Sequence, residues 1–225
     1  MYDTERTQQY RGKTKKIGRK YVKLAVLFGL LLCWKIIYLI SQPLGDSWAN
    51  FVAYCWIFSI MLFYLKVTKQ SLAKYFYSIS TKLVFYGIGL GILLFVSGGI
   101  GYFLSQKVLG LSLSQEATQV FGKAPEYLWL FTLTMILTII SEEILFRGIF
   151  LEELNRDLPA FGAILISALC FSLFHLNSFN AISSFIYGIG LATVTLRTGS
   201  LWSAFIGHFV VNLTGIVMFI LINIS

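Results

Sequence analysis

The feature that most limits the fold of this chain is its series of apolar runs, each about 17 to 25 residues long and separated by short polar or basic stretches. A helix of that length crosses the roughly 30 Å hydrocarbon core of a bilayer. Of the 225 residues, 57% are hydrophobic and only 12% are charged, which leaves too little polar surface to cover a soluble domain. The sequence therefore predicts an all-α fold, a polytopic transmembrane helix bundle.

The apolar runs predict about seven spans in one membrane domain, and the chain contains no internal repeat. The longest connections between spans are Lys66–Lys82 and Ser105–Glu126, and the second of these is a candidate for an interfacial half-helix. The predicted spans are Leu24–Ser41, Trp48–Leu65, Leu83–Leu104, Tyr127–Phe150, Ala160–Leu176, Ala181–Leu196 and Leu201–Ile222.

The uneven distribution of charge predicts the orientation of the chain. The formal net charge is +8, and a dense group of Lys and Arg residues, Arg6–Lys23, precedes the first span. The connection Gln42–Ser47 has no Lys or Arg, whereas Lys66–Lys82 has four lysines. Because positive residues favour the cytoplasmic side, we expect a cytoplasmic N-terminus and an external C-terminus in the cell membrane. A basic arm beside a span sets orientation or contacts anionic lipid, so no nucleic-acid partner is expected.

The N-terminal segment resembles a signal peptide in its charge order, with a basic stretch before an apolar one. No small-residue cleavage site follows before Pro43, and the next span begins within a few residues. We therefore expect the first span to be a retained anchor.

Two adjacent carboxylates stand inside the fourth apolar run, in the segment Ser141–Arg147. Ionisable groups within a membrane are costly unless they are paired or hydrated, so they indicate a functional site. On a helix, Glu143 and Arg147 can form an ion pair, whereas Glu142 points about 100° away. Glu142 is then the candidate general base. The alternative is that this segment marks the cytoplasmic end of the span and continues as a solvated helix through Glu152–Asp157.

The chain has two histidines, His175 and His208, and both lie within apolar runs. Asn212 follows His208 by one helical turn, so the two side chains share a face and could bind the same water, metal ion or carbonyl. The alternative is that each histidine is a structural hydrogen-bonding group. Two histidines and a glutamate could hold Zn²⁺ with an open position for water. They could equally form a metal-free site with a glutamate base and electrostatic stabilisation by the histidines and asparagine.

Helix lengths test whether these side chains can meet. Counted from Arg156, Glu142 lies about 14 residues, or roughly 21 Å, from the end of its helix, and His175 lies at a similar depth counted from Phe161. His208 is about eight residues past the turn at 198–200, which places it only roughly 12 Å deep. It can therefore reach the others only if that turn dips inward or the helix is tilted.

The order and spacing of these residues resemble a known family, the CAAX-protease and bacteriocin-processing family of intramembrane proteases, also called Abi. Its three motifs are similar to Glu142-Glu143-x-x-x-Arg147, Phe171-x-x-x-His175 and His208-x-x-x-Asn212, and the resemblance covers roughly Leu128–Ile216. The resemblance implies that Glu142 activates a water for peptide-bond hydrolysis and that Glu143 and Arg147 hold their helix. It also implies that His175, His208 and Asn212 bind the oxyanion, a metal ion or both.

The resemblance sets the expected organisation and function of the chain. We expect a basic cytoplasmic arm at 1–23, accessory transmembrane helices at 24–126 and a catalytic transmembrane core at 127–225. The expected activity is that of a membrane-embedded endopeptidase whose partners are the lipid bilayer and a membrane-associated peptide or protein. The cofactor is either a divalent metal such as zinc, held by His175, His208 and Glu142, or none. The alternatives are a non-catalytic bacteriocin-immunity or regulatory protein on the same scaffold and a small transporter, although transporters are more often larger and repeat-built.

Overall fold

The computed structural model describes residues 21–76, 78–109, 128–175 and 181–224, and no strand occurs in these ranges. Helices overlap all of the predicted spans, so the all-α polytopic bundle is confirmed. Residues 1–20 of the predicted basic arm at 1–23 lie outside the described residues. So does most of the candidate half-helix in Ser105–Glu126. The helices are α1 (Tyr21–Leu44), α2 (Asp46–Thr68), α3 (Thr81–Leu109), α4 (Leu128–Glu142, continued by Glu143–Phe150 and Leu151–Asn155), α5 (Ala160–Phe174), α6 (Ala181–Thr198) and α7 (Leu201–Ile224).

Four of the described helices, α1 to α4, are long and apolar enough to cross a membrane. Large apolar side chains such as Phe63, Phe85 and Phe161 face outward, as lipid-facing residues do. The chain is therefore a membrane protein. α5 and the Leu201–Val217 part of α7 are apolar but shorter, and their crossing of the bilayer stays a prediction, as does the orientation of the N-terminus.

The helix ends lie up to five residues from the ends of the predicted spans, and two of these differences concern the site. α4 continues beyond Phe150 to Asn155, because Leu151 and Leu154 are buried against residues of α5 and α6 and need a helix to reach them. α5 ends at Phe174, and His175 leaves helical geometry with φ −105° and ψ 15°. His175 thus caps a helix, whereas the sequence placed it inside one.

The accessory helix α3 packs closely on α7, which carries the second histidine. A Cβ atom at Gly91 would lie 2.6 Å from Cβ of Val210, so this approach requires glycine. The Ser203 hydroxyl also donates to the Leu83 carbonyl at 3.0 Å. α3 therefore supports α7 along the part that leads to the site.

Candidate active site

The middle of α4 is wound as a π-helix over Glu143–Phe150, and all eight residues of this segment are buried. The Leu151 N–H donates to the carbonyl of Phe146, five residues earlier, as a π-helix requires. The same carbonyl accepts a 2.8 Å hydrogen bond from the buried hydroxyl of Ser167 on α5. Sequence reasoning missed this winding, because no residue pattern distinguishes a π-helical turn from an α-helical one.

We expect the Ser167→Ala variant to lose about 1 to 2 kcal/mol of stability, because a buried carbonyl loses a partner. If the bond also holds the π-helical winding, activity should fall with it. The matched control is Ser183→Ala, which removes a 3.2 Å bond from another buried serine to the Gly98 carbonyl. Denaturant unfolding and cleavage rates of both variants provide the measurement. Equal loss of activity in the two variants would contradict a special role for Ser167.

One side of the site is a buried charge cluster of Glu143, Arg147 and His208. Nη1 of Arg147 lies 3.1 Å from Oε1 of Glu143, which confirms the predicted ion pair. Nδ1 of His208 lies 2.7 Å from the same oxygen, and because that oxygen belongs to a carboxylate, the imidazole donates the proton. The exposed fractions of the Glu143 and Arg147 residues are 0% and 2%. This burial contradicts the alternative of a solvated helix end.

The second carboxylate, Glu142, faces both histidines. Its Oε1 lies 3.9 Å from Nε2 of His175, and its Oε2 lies 3.8 Å from Nε2 of His208. Nδ1 of His175 donates to the Phe171 carbonyl at 2.9 Å. In both histidines the Nδ1 proton is therefore used in a hydrogen bond to another group. When such a ring is neutral, the nitrogen that faces Glu142, Nε2, carries no proton.

The ring of Phe171 connects the site residues. Cζ of Arg147 lies 4.3 Å from its centroid, in cation–π geometry. The His175 and His208 rings lie 4.7 Å and 6.1 Å from the same ring, centroid to centroid. The sequence places Phe171 in the second motif without predicting it as a site residue, and its position four residues before His175 is the signal that could have identified it.

Five of the six predicted site residues come together in this cluster. Asn212 lies half-buried one turn beyond His208 on α7, and no hydrogen bond joins its side chain to the other five. Its predicted role therefore rests on its position and on the motif alone.

The turn that precedes α7 is covered on one side by the connection between α2 and α3. Ser200 and Leu201 are each 2% exposed, and the Leu201 N–H donates to the Tyr75 carbonyl at 3.4 Å, whereas Gly199 is exposed. His208 reaches both carboxylates, at 2.7 Å from Glu143 and 3.8 Å from Glu142. The contact that the depth count made conditional on an inward turn or a tilted helix is therefore formed.

Several polar atoms in this cluster are buried without a hydrogen bond among the residues that the structure describes. They are the hydroxyl of Ser141, Oε1 of Glu142, Oε2 of Glu143 and the three guanidinium nitrogens of Arg147. Such groups are costly unless water or a ligand satisfies them. Their concentration around Glu142 indicates a site built to receive polar atoms.

Glu142, His175 and His208 are the residues that could bind a zinc ion. Their chemistry fits, because two imidazoles and a carboxylate converge and each imidazole is held through Nδ1 by an acceptor. The spacing does not fit, since ligand atoms on one tetrahedral zinc ion lie about 3.3 Å apart, and the Nε2 atoms here lie 3.9 Å and 3.8 Å from the Glu142 oxygens. Within the described ranges, no three His, Cys, Asp or Glu side chains are arranged to hold a metal ion. The metal ion therefore stays a prediction.

A comparison with protein families finds a match over the part of the chain that carries this cluster. The family model described as Rce1-like, type II CAAX prenyl endopeptidase Rce1-like, matches residues 124–214, which include all six predicted site residues. Neither the curated proteins nor the solved structures include a match to this chain.

Proposed function

We propose that this membrane protein, whose residues 124–214 match the family model described as Rce1-like type II CAAX prenyl endopeptidase, hydrolyses a peptide bond in a membrane-associated peptide or protein with a water activated by Glu142. The observation that carries the proposal is the buried Glu142 carboxylate, which both Nε2 atoms face at 3.8 to 3.9 Å. That distance is too long for a direct hydrogen bond. It suits a water bonded to both groups at about 2.8 Å.

The reaction can be written with the groups of this chain. The water oxygen attacks the peptide carbonyl carbon while Glu142 takes a proton from the water. A C–O bond forms and the carbonyl oxygen becomes an oxyanion. The C–N bond then breaks, and the proton held by Glu142 passes to the leaving nitrogen, so that one water is consumed and two peptide ends are released.

The histidines and Asn212 are assigned to the oxyanion. Because Nδ1 already donates in both rings, an Nε2 proton is present only when a ring is an imidazolium. A protonated His175 or His208 then donates from Nε2 to the oxyanion, and the Asn212 amide is a further donor on the same face as His208. Glu143 and Arg147 hold the His208 ring and the π-helical segment in place.

The exposure of the site side chains indicates that the substrate reaches Glu142 from the side of His175. Its side chain is 24% exposed, compared with 7% for His208 and 1% for Glu142. The surroundings of His175 are aromatic, with Phe174 at 5.8 Å between ring centroids. An extended apolar segment of a membrane peptide or protein tail matches such an entrance. We place the enzyme in the cell membrane with a cytoplasmic N-terminus, as the basic arm indicates.

The test is cleavage of a fluorogenic library of apolar peptides by purified protein in lipid nanodiscs. We expect the wild type to cleave members of the library and the His175→Ala variant to be slower by about 10²-fold, because it loses an oxyanion donor. Phe161→Ala, which alters an outward-facing side chain at the other end of α5, is the matched control and should keep full activity.

Repeating the cleavage assay with a chelator shows whether the enzyme needs a metal ion. Loss of activity with EDTA and recovery with Zn²⁺ would establish a metal site, whereas activity that is indifferent to EDTA would establish metal-free glutamate chemistry. If His175→Ala cleaves as fast as the wild type, the proposed site is wrong.

A further inference from the structure

A short connection outside the family match contacts α4 and α7, two of the three helices that carry the proposed catalytic groups. We name this segment, residues 70–76 between α2 and α3, the clasp. Its Tyr75 is 5% exposed, and the Tyr75 ring lies so close to α4 that a Cβ atom at Gly148 would be 2.8 Å from Cε1. Gly148 directly follows Arg147. One turn further along α4, Glu152 forms a 2.6 Å ion pair with Lys74 of the clasp.

The clasp also contacts the start of α7. The carbonyl of Tyr75 accepts a hydrogen bond from the Leu201 N–H at 3.4 Å, which joins the clasp to the first residue of α7. The ring of Phe76 lies 5.1 Å from that of Trp202 and 6.1 Å from that of Phe205, both in edge-to-face geometry. Phe205 precedes His208 by three residues, so this contact is made within one turn of the catalytic histidine.

The conformation of the clasp is fixed internally. The Tyr75 hydroxyl donates to the side-chain carbonyl of Gln70, and the Gln70 N–H donates to the Leu65 carbonyl at the end of α2. Burial raises the pKa of the Tyr75 hydroxyl above its ordinary value, so it keeps its proton at experimental pH. Lys69, with φ 56°, provides the left-handed residue that ends α2 and starts the clasp.

We infer that Tyr75 is a positioning residue, and that the clasp sets the spacing of α4 and α7 on which the contact between His208 Nδ1 and Glu143 depends. This inference rests on the proposed function. Tyr75 acts through other residues: its ring contacts Gly148, its carbonyl accepts the Leu201 N–H and its hydroxyl donates to Gln70. None of these three residues is among the proposed catalytic groups. A small displacement of catalytic groups costs a large factor in rate, so loosening the clasp acts on kcat rather than on substrate affinity.

The activity test compares two substitutions of one residue. We expect Tyr75→Ala to lower kcat by about 10- to 100-fold with little change in KM. Tyr75→Phe keeps the ring and the backbone carbonyl and should retain most of the activity. Tyr86→Ala, at a half-exposed tyrosine of α3, is the control and should behave like the wild type.

The contact with Gly148 gives an independent double-mutant test. Gly148→Ala places a methyl group against the Tyr75 ring and should lower kcat, whereas Gly89→Ala, which has open space around its Cβ, should not. In Tyr75→Ala the obstructing ring is absent, so adding Gly148→Ala should cause little further loss. Additive losses would overturn the inference that the two residues act through one contact.

A readout without activity separates this inference from the proposed function. Because the chain has two histidines, ¹⁵N-histidine labelling yields one signal set for each. We expect Tyr75→Ala to shift the Nδ1 signal of His208 and to leave that of His175 in place. If no peptide is ever cleaved, the proposed function fails while this shift still supports the clasp. Unchanged His208 signals in Tyr75→Ala would overturn it, whether or not cleavage is observed.

Discussion

Replacing Glu142 with glutamine is expected to lower kcat by about 10²- to 10⁴-fold, because an amide cannot take a proton from water. The fold should survive this change. Oε1 of Glu142 has no hydrogen bond among the described residues, and the carboxylate is 1% exposed. A neutral amide of the same shape is less costly to bury than a charge, so thermal stability should be equal or higher. Lost activity with retained stability is the pattern expected of a functional group that folding does not need.

The measurement is the cleavage rate of the best library peptide together with the unfolding midpoint in detergent. Glu153→Gln is the matched control, since Glu153 lies on the same helix and pairs with Arg156 at 2.7 Å nearer the surface. We expect the control to keep full activity. If Glu142→Gln retains wild-type activity in the cell and no cleavage is ever seen, the protein acts as a binding or immunity scaffold and the base assignment is wrong.

The helices could be predicted from the sequence because apolar length alone dictates them in a membrane. The Glu143–Arg147 ion pair could be predicted too, since four-residue spacing brings side chains together on any helix. What could not be predicted is which carboxylate each nitrogen of the His208 ring faces. That His208 bonds Glu143 through Nδ1 while facing Glu142 through Nε2 depends on how two distant helices are oriented, which no local spacing encodes.

The start of α7 shows why the accessory half matters to the site. Counting residues from the turn at 198–200 cannot show whether His208 meets the carboxylates, because the count carries no information on how α7 is tilted or packed. The Leu201 N–H at the start of α7 donates to the Tyr75 carbonyl, a backbone group more than 120 residues earlier in the chain. Contacts of that range are set by tertiary packing, and Tyr75 lies outside the family match at 124–214.

Removing the charge of Arg147 is expected to have the largest effect on stability. Breaking a buried ion pair typically costs about 3 to 5 kcal/mol, because the remaining charge is left uncompensated. In Arg147→Ala the Glu143 carboxylate, which is 0% exposed, would keep only the His208 imidazole as a partner, and Phe171 would lose the guanidinium above its ring. Arg156→Ala is the control, since the Arg156 side chain is 54% exposed in its pairs with Glu152 and Glu153, and pairs of a solvent-exposed side chain contribute about 1 kcal/mol or less.

Denaturant unfolding of both variants measures the difference, and an equal loss in the two would contradict a buried pair. Adding Glu143→Gln to Arg147→Ala should recover part of the stability, because the amide needs no counter-charge. It should not recover activity. The amide oxygen can still accept a hydrogen bond from Nδ1–H of His208, but this bond is no longer charge-assisted, so the alignment of Nε2 with Glu142 is weakened. A double variant that is both stable and fully active would show that Glu143 serves the fold alone.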